Sequence, residues 1–131
     1  MSDTAESTKA GLDILRRGGT AADAAVAVAS TLGVTDPFVA GIGGGGYFVY
    51  YDARTHRIST IDGRETTPAG DTSTMFIDPR TGQPYSSPTA VTSGRSVGVP
   101  GTLATWQRAS QRNSATTQVE PAFLKSRQHP G

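Results

Sequence analysis

The sequence predicts an α+β fold in which two helices lead, a β-hairpin follows and loops make up most of the remainder. Three observations support this. Residues 5–34 hold two runs of helix-forming residues separated by Gly18-Gly19. Residues 47–62 hold two β-branched and aromatic runs separated by four residues. Gly and Pro concentrate after residue 40, where they punctuate rather than extend regular structure.

The first helix is expected over residues 5–17, "AESTKAGLDILRR". Ala10, Ile14 and Arg17 share one stripe, and Leu12 and Leu15 broaden its apolar face. Gly18-Gly19 ends it, because glycine takes the left-handed conformation without steric cost. Thr20 then offers an N-cap with Asp23 three residues on, the spacing of a capping box. The second helix, "AADAAVAVASTLGV", is nearly all Ala and Val, with its single charge at the N-terminal end, where the macrodipole favours an anion. A helix apolar on all sides belongs inside something.

Asp36-Pro37 breaks the helical run. "YFVYYD" at 47–52 and "RISTID" at 57–62 read as strands joined by "ARTH". Residues 66–95 are rich in Thr, Ser, Pro and Gly and show no period. "SVGVPG" at 96–101 is a short extended piece, and "GTLATWQRASQR" begins another helix.

The 131 residues suffice for one modest domain. A net charge of +1 gives no sign of a nucleic-acid or anionic-membrane partner. The charge is uneven: residues 1–103 hold 8 basic and 10 acidic side chains, whereas residues 104–131 hold Arg108, Arg112, Lys125 and Arg127 against Glu120 alone. The absence of cysteine excludes disulfides and thiolate chemistry. His56 and His129 lie far apart, so neither a metal site nor any other cofactor is expected. No apolar run is long enough to span a bilayer. The start lacks a charged region followed by an apolar one, so no signal peptide is expected.

"GIGGGG" at 41–46 satisfies the pattern G-x-G-x-x-G through Gly41, Gly43 and Gly46. A dinucleotide loop needs a strand before the glycines and a helix after them, whereas here the order is reversed. No Gly-Lys-Ser/Thr follows, so a P-loop also fails. The expected role of these glycines is to let backbones pack closely, or turn with positive φ, beside a site that uses bare N–H groups.

The "RRGG…DAAVA" helix pair, the "AGIGGGGYF" loop, "DGRETTPAG" and "SVGVPG", in this order and spacing, resemble the N-terminal part of γ-glutamyltranspeptidases (glutathione hydrolases) over residues 9–106. The resemblance implies an N-terminal-nucleophile hydrolase with an αββα sandwich, of which this chain is one part. It implies a precursor that cleaves itself into two subunits, and a small-subunit Thr that attacks the γ-glutamyl amide of glutathione. The α-amino group of that Thr serves as its base, and backbone N–H groups stabilise the oxyanion. The partners so implied are a small γ-glutamyl compound such as glutathione and the small subunit of the same precursor. Family members are periplasmic, secreted or at the cell surface.

One residue of the family's site is present, Arg64 in "DGRE", and it is expected to bind the α-carboxylate of the γ-glutamyl group. A guanidinium meets a carboxylate with two parallel hydrogen bonds and keeps its charge. Glu65 is expected to be a surface charge rather than a residue orienting Arg64. No catalytic residue is expected in the chain. Thr116-Thr117 is set aside as a nucleophile because Gln118 stands where the family has His and no strand follows. Residues 1–106 are therefore assigned as the N-terminal part of the large subunit, and 107–131 as a divergent, disordered tail. A truncated or frame-shifted product, inactive and loosely packed on its own, is the expectation. His56 sits where the family's hairpin turn has Gly, a penalty if that turn needs φ > 0. The alternatives are a related acylase of the same fold, a non-catalytic module pairing with a full-length homologue, and nucleotide binding by the glycine loop.

Overall fold

The computed structural model describes residues 1–113. The expected disordered tail lies, from residue 114 onward, outside the described residues, as does Thr116-Thr117. The elements are α1 (Ala5–Arg16), α2 (Ala21–Thr35), α3 (Pro37–Ala40), β1 (Gly46–Asp52), β2 (Arg57–Gly63), α4 (Ser87–Thr92) and α5 (Thr102–Asn113), with a 3₁₀ turn at Gly94–Ser96 between the last two.

The helix pair forms for local reasons. Thr4 caps α1 by accepting the Ser7 N–H at 3.2 Å. Its C-terminus closes as a Schellman motif: Gly18 has φ 85°, its N–H reaches the Leu15 carbonyl, and the Gly19 N–H reaches the Ile14 carbonyl. The expected capping box opens α2, with Asp23 N–H donating to Thr20 Oγ1 at 3.2 Å and Thr20 N–H donating to Asp23 Oδ2 at 3.0 Å. The buried face of α1 is not the expected apolar stripe. Leu12 and Leu15 are about half exposed, and the buried residues are Ser7 and Gly11. α2 presents small side chains, so α1 approaches with its own smallest residues; a Cβ on Gly11 would lie 2.6 Å from Val28 Cγ2.

The helical run breaks at Asp36-Pro37 as expected, with α2 ending at Thr35; a separate turn, α3, then starts at Pro37, where proline is accommodated at N1, and leads into the glycine loop. β1 and β2 pair antiparallel, with Gly46 opposite Gly63 at the base and Asp52 opposite Arg57 at the tip. Tyr47, Val49, Tyr51 and Ile58 share the outward face and are exposed. α5 packs against α2 and the hairpin, burying Ala109 and Thr105. The loop from Arg64 to Gly101 folds back through a Thr66–Val99 bridge and an Ile77–Pro84 bridge. Arg95 ties it together by donating to the Met75 carbonyl at 2.7 Å while lying over the Tyr85 ring. Among the described residues the buried hydrophobic side chains are Ala22, Ala24 and Ala109. The all-apolar α2 accordingly remains only half covered by the described residues. None of the helices among these residues is long and apolar enough to cross a membrane.

Candidate functional site

The base of the hairpin is where residues distant in sequence converge. Gly45 lies so close to residues 63–65 that a Cβ there would meet the Gly63 carbonyl, and the Glu65 nitrogen at 2.9 Å. A Cβ on Gly101 would meet the same Gly63 carbonyl, with its carbon at 2.7 Å. A Cβ on Gly63 would collide with the Thr105 side chain and sit 3.0 Å from the Gly46 carbonyl. Three backbone segments thus touch directly, which only glycine permits. The Thr105 hydroxyl donates to the Gly101 carbonyl at 2.9 Å, and the Thr66–Val99 bridge closes the junction from the other side.

The glycines of the loop therefore serve close approach. None of Gly41 to Gly46 has positive φ, so the expected alternative of left-handed turning does not apply. Nor is the motif itself what sterics require, since of its three glycines only Gly41 lacks room for a Cβ. Gly43 and Gly46 have open space where a Cβ would stand, whereas Gly41 and Gly45 do not. A helix N-terminus does reach the loop, which chain order alone did not reveal: the Gly101 and Thr102 N–H groups at the start of α5 point at it. Both donate to the Gly44 carbonyl, at 3.1 and 3.2 Å, so these donors are already occupied by protein rather than aimed at a phosphate.

Arg64 leaves this junction directly. Its N–H donates to Asp62 Oδ1 at 3.0 Å, fixing the backbone where β2 ends. Its side chain is 58% exposed and borders a cleft of about 660 Å³ formed by α2, α3, the glycine loop and the start of α5. Glu65 departs from expectation. It is not a free surface charge: its side chain is 29% exposed, with Oε2 buried 3.3 Å from Arg64 Nη1. That contact is an ion pair without hydrogen-bond geometry, and Oε2 has no hydrogen-bond partner among the described residues. Glycine again makes the room, since a Cβ on Gly98 would lie 2.8 Å from Glu65 Cβ. The buried Oε2 draws the half-exposed guanidinium to the rim of the cleft that Arg64 and Glu65 both line. Sequence reading missed this because the burial of Glu65 depends on Gly98, far from it along the chain. Among the described residues, no group of His, Cys, Asp and Glu side chains could hold a metal ion.

Residues 7–122 match the model of the family described as gamma-glutamyltranspeptidase. The match runs past Trp106, where the motif-by-motif resemblance ends. The chain is 50% identical over 93 residues to a glutathione hydrolase proenzyme of Bacillus subtilis, covering 71% of this chain and 16% of that protein. It is 40% identical over 126 residues to the glutathione hydrolase proenzyme of Escherichia coli, covering 94% of this chain and 21% of that protein. Among solved structures it is similar to a gamma-glutamyltranspeptidase from Pseudomonas nitroreducens complexed with L-DON. That likeness has a TM-score of 0.81 at 34% identity, over 88% of this chain and 33% of that one. The described α+β arrangement is thus part of the N-terminal-nucleophile hydrolase fold, as the resemblance implied. The chain spans about a sixth to a fifth of the length of these curated relatives.

Proposed function

Because the chain belongs to the γ-glutamyltranspeptidase family, we propose that it is the N-terminal part of the large subunit of a γ-glutamyltransferase or glutathione hydrolase, with Arg64 anchoring the α-carboxylate of the γ-glutamyl group. The supporting observation is the setting of Arg64. Its backbone is held by Asp62 and by the glycine junction, its guanidinium lies beside Glu65, and it borders the cleft beneath α2. A guanidinium so placed meets a carboxylate with two parallel N–H···O bonds.

The nucleophile lies outside these 131 residues in this proposal. The N-terminal Thr of the small subunit adds its Oγ to the γ-carbonyl carbon, and its hydroxyl proton passes to its own α-amino group. The departing amine takes that proton as the C–N bond breaks. Water then hydrolyses the γ-glutamyl ester, or an amino-acid amine accepts the glutamyl group. Arg64 touches none of the reacting atoms and contributes by fixing the other end of the substrate. Alone, the chain is expected to be inactive.

A chimera tests this. Residues 7–113 would replace the matching part of the Bacillus subtilis relative, and release from a chromogenic γ-glutamyl anilide would be followed. An active chimera whose kcat/KM falls on the order of 100-fold with Arg64→Ala, mostly through KM, supports the proposal. Arg64→Lys should recover only part of the loss, because a point charge lacks the two-pronged geometry. A folded, self-cleaved but inactive chimera defeats the functional assignment, while an active one indifferent to Arg64→Ala defeats the anchor alone.

A further inference from the structure

We propose that Thr105 is a positioning residue for the Arg64 anchor: its buried side chain, seated on Gly63, fixes where β2 ends and so where the arginine begins. The inference rests on the role of Arg64 proposed above and goes beyond it to the side chain that holds that residue in place.

The main chain around Arg64 is enclosed, while its side chain is not. Gly63 is buried, whereas the Arg64 side chain is 58% exposed. The Arg64 N–H is taken up by Asp62 Oδ1 at 3.0 Å. On one flank lies Gly45, where a Cβ would stand 3.0 Å from the Arg64 carbonyl carbon. On the other lies Gly101, where a Cβ would stand 3.1 Å from the Arg64 carbonyl oxygen. These two flanks are held by backbone alone. The side chain that closes on the Cα of Gly63 is that of Thr105: a Cβ on Gly63 would collide with its Oγ1 and lie 3.0 Å from its Cβ.

Thr105 is itself held. It is 8% exposed, and its hydroxyl donates to the Gly101 carbonyl at 2.9 Å. A threonine in a helix divides between two χ1 rotamers, because its Oγ1 can bond a carbonyl one turn back. Here that bond is made, and the rotamer it selects brings Oγ1 onto Gly63. The acceptor is pinned in turn, since the Gly101 and Thr102 N–H groups both donate to the Gly44 carbonyl. One turn further along α5, Ala109 is fully buried and anchors the helix. Contacts thus run without a break from the glycine loop through Gly101 and Thr105 to Gly63. Arg64 is the next residue, so any shift of Gly63 moves the root of the arginine. A guanidinium meets a carboxylate through two parallel bonds, a geometry that tolerates little displacement.

The chimera carrying residues 7–113 in the Bacillus subtilis relative tests this, with the γ-glutamyl anilide and its α-carboxamide counterpart as substrates. Thr105→Ala empties the seat on Gly63, and Thr105→Val presses a methyl group there without the hydroxyl bond. Each should raise KM for the anilide about tenfold and leave kcat within about twofold. Thr105→Ser keeps the hydroxyl bond and should stay within about threefold of the parent. On the α-carboxamide, which offers Arg64 no charge, Thr105→Ala should change kcat/KM by less than about twofold. The same indifference is expected for the anilide in an Arg64→Ala background, because residues acting as one unit are not additive. Self-cleavage of each variant establishes that it folds. In the 131-residue chain, Thr105→Ala but not Thr105→Ser should speed hydrogen exchange at the Arg64 amide severalfold and leave α1 unchanged.

An equal loss on both substrates, or an undiminished loss in the Arg64→Ala background, would make Thr105 a packing residue only and overturn the proposal. So would a parental KM in a self-cleaved Thr105→Ala variant. These results leave the anchor assignment standing. Indifference of the parent chimera to Arg64→Ala, by contrast, removes that assignment and this inference with it.

Discussion

The two ends of the hairpin are held by opposite means. At the base, Gly46 faces Gly63, and the surrounding contacts are backbone against backbone, with Gly45, Gly63 and Gly101 leaving no room for a Cβ. At the tip, Asp52 faces Arg57, and polar side chains do the work. Asp52 accepts the Arg54 N–H and the Thr55 hydroxyl, each at 2.9 Å, and Tyr51 Oη lies 2.9 Å from His56 Nδ1. The tip is exposed and its interactions exchange readily with water, so each is worth little. The base is defined by excluded volume, which has no substitute. The candidate site grows from the end that cannot vary.

The largest expected effect is therefore at Gly63. Gly63→Ala forces a Cβ into Thr105 and against the Gly46 carbonyl, and should destabilise by about 3 kcal/mol or more, as overpacking against rigid backbone does. Amide hydrogen exchange should show lost protection in α5 and β2 together, since Thr105 links them. Loss confined to β2 would mean that α5 is not fastened to the hairpin through this glycine. Gly45→Ala should cost a comparable amount, about 2–3 kcal/mol, because the 63–65 backbone that a Cβ there meets cannot turn aside. Gly43→Ala and Gly46→Ala, facing open space, should stay within about 0.5 kcal/mol of the parent. If Gly43→Ala proved as damaging as Gly45→Ala, the glycines would be serving a ligand or chain motion rather than packing.

The contrast also explains how much the sequence disclosed. The capping box at Thr20 and Asp23, the glycine stop after α1 and the hairpin all arise from residues within a few positions of one another, and each was legible. The junction was not, because residues 45, 63 and 101 meet only after three segments fold together, and no periodicity encodes such a meeting. Glu65 was misread for the same reason. Leu12 and Leu15 were read as broadening the apolar face of α1, yet Ser7 and Gly11 are the residues it buries, and small side chains there permit close approach to α2. α4 escaped notice because residues 66–95 carry no period and six residues make too short a helix to impose one.

At the tip the sign reverses. His56 has φ 55°, the left-handed region that the sequence comparison with a family glycine suggested. A non-glycine residue pays about 1–2 kcal/mol there, and glycine loses part of that advantage through its freer unfolded chain. His56→Gly should therefore stabilise by about 0.5 kcal/mol, even though it gives up the exposed Tyr51–His56 contact. A stabilisation of the hairpin amides in hydrogen exchange is the expected outcome, and a net destabilisation would show that the Tyr51–His56 contact matters more than the backbone strain.

The smallest effect is the response of the tip to acid. The Thr55 hydroxyl, then the Arg54 N–H, hold the Asp52 carboxyl below the usual carboxylate range. A group whose folded pKa is depressed stabilises the fold above its unfolded pKa, and that contribution disappears as pH falls through the folded value. The contribution of Asp52 to the tip should thus be complete above about pH 5 and be lost only below about pH 4. Asp13 follows the same sign, its carboxyl held down chiefly by Lys9, with Arg16 assisting. Asp52→Asn keeps one oxygen acceptor, enough for the Arg54 N–H, and puts an amide NH2 where Oδ2 accepts the Thr55 hydroxyl; having no charge to lose, it should flatten the acid response of the tip while leaving that of α1 in place. The base, packed by glycine backbone, should show no matching loss of protection over the same range. If base and tip loosened together in acid, the two ends would be one cooperative unit, and the excluded volume at Gly63 would not be holding its end of the hairpin independently of the tip.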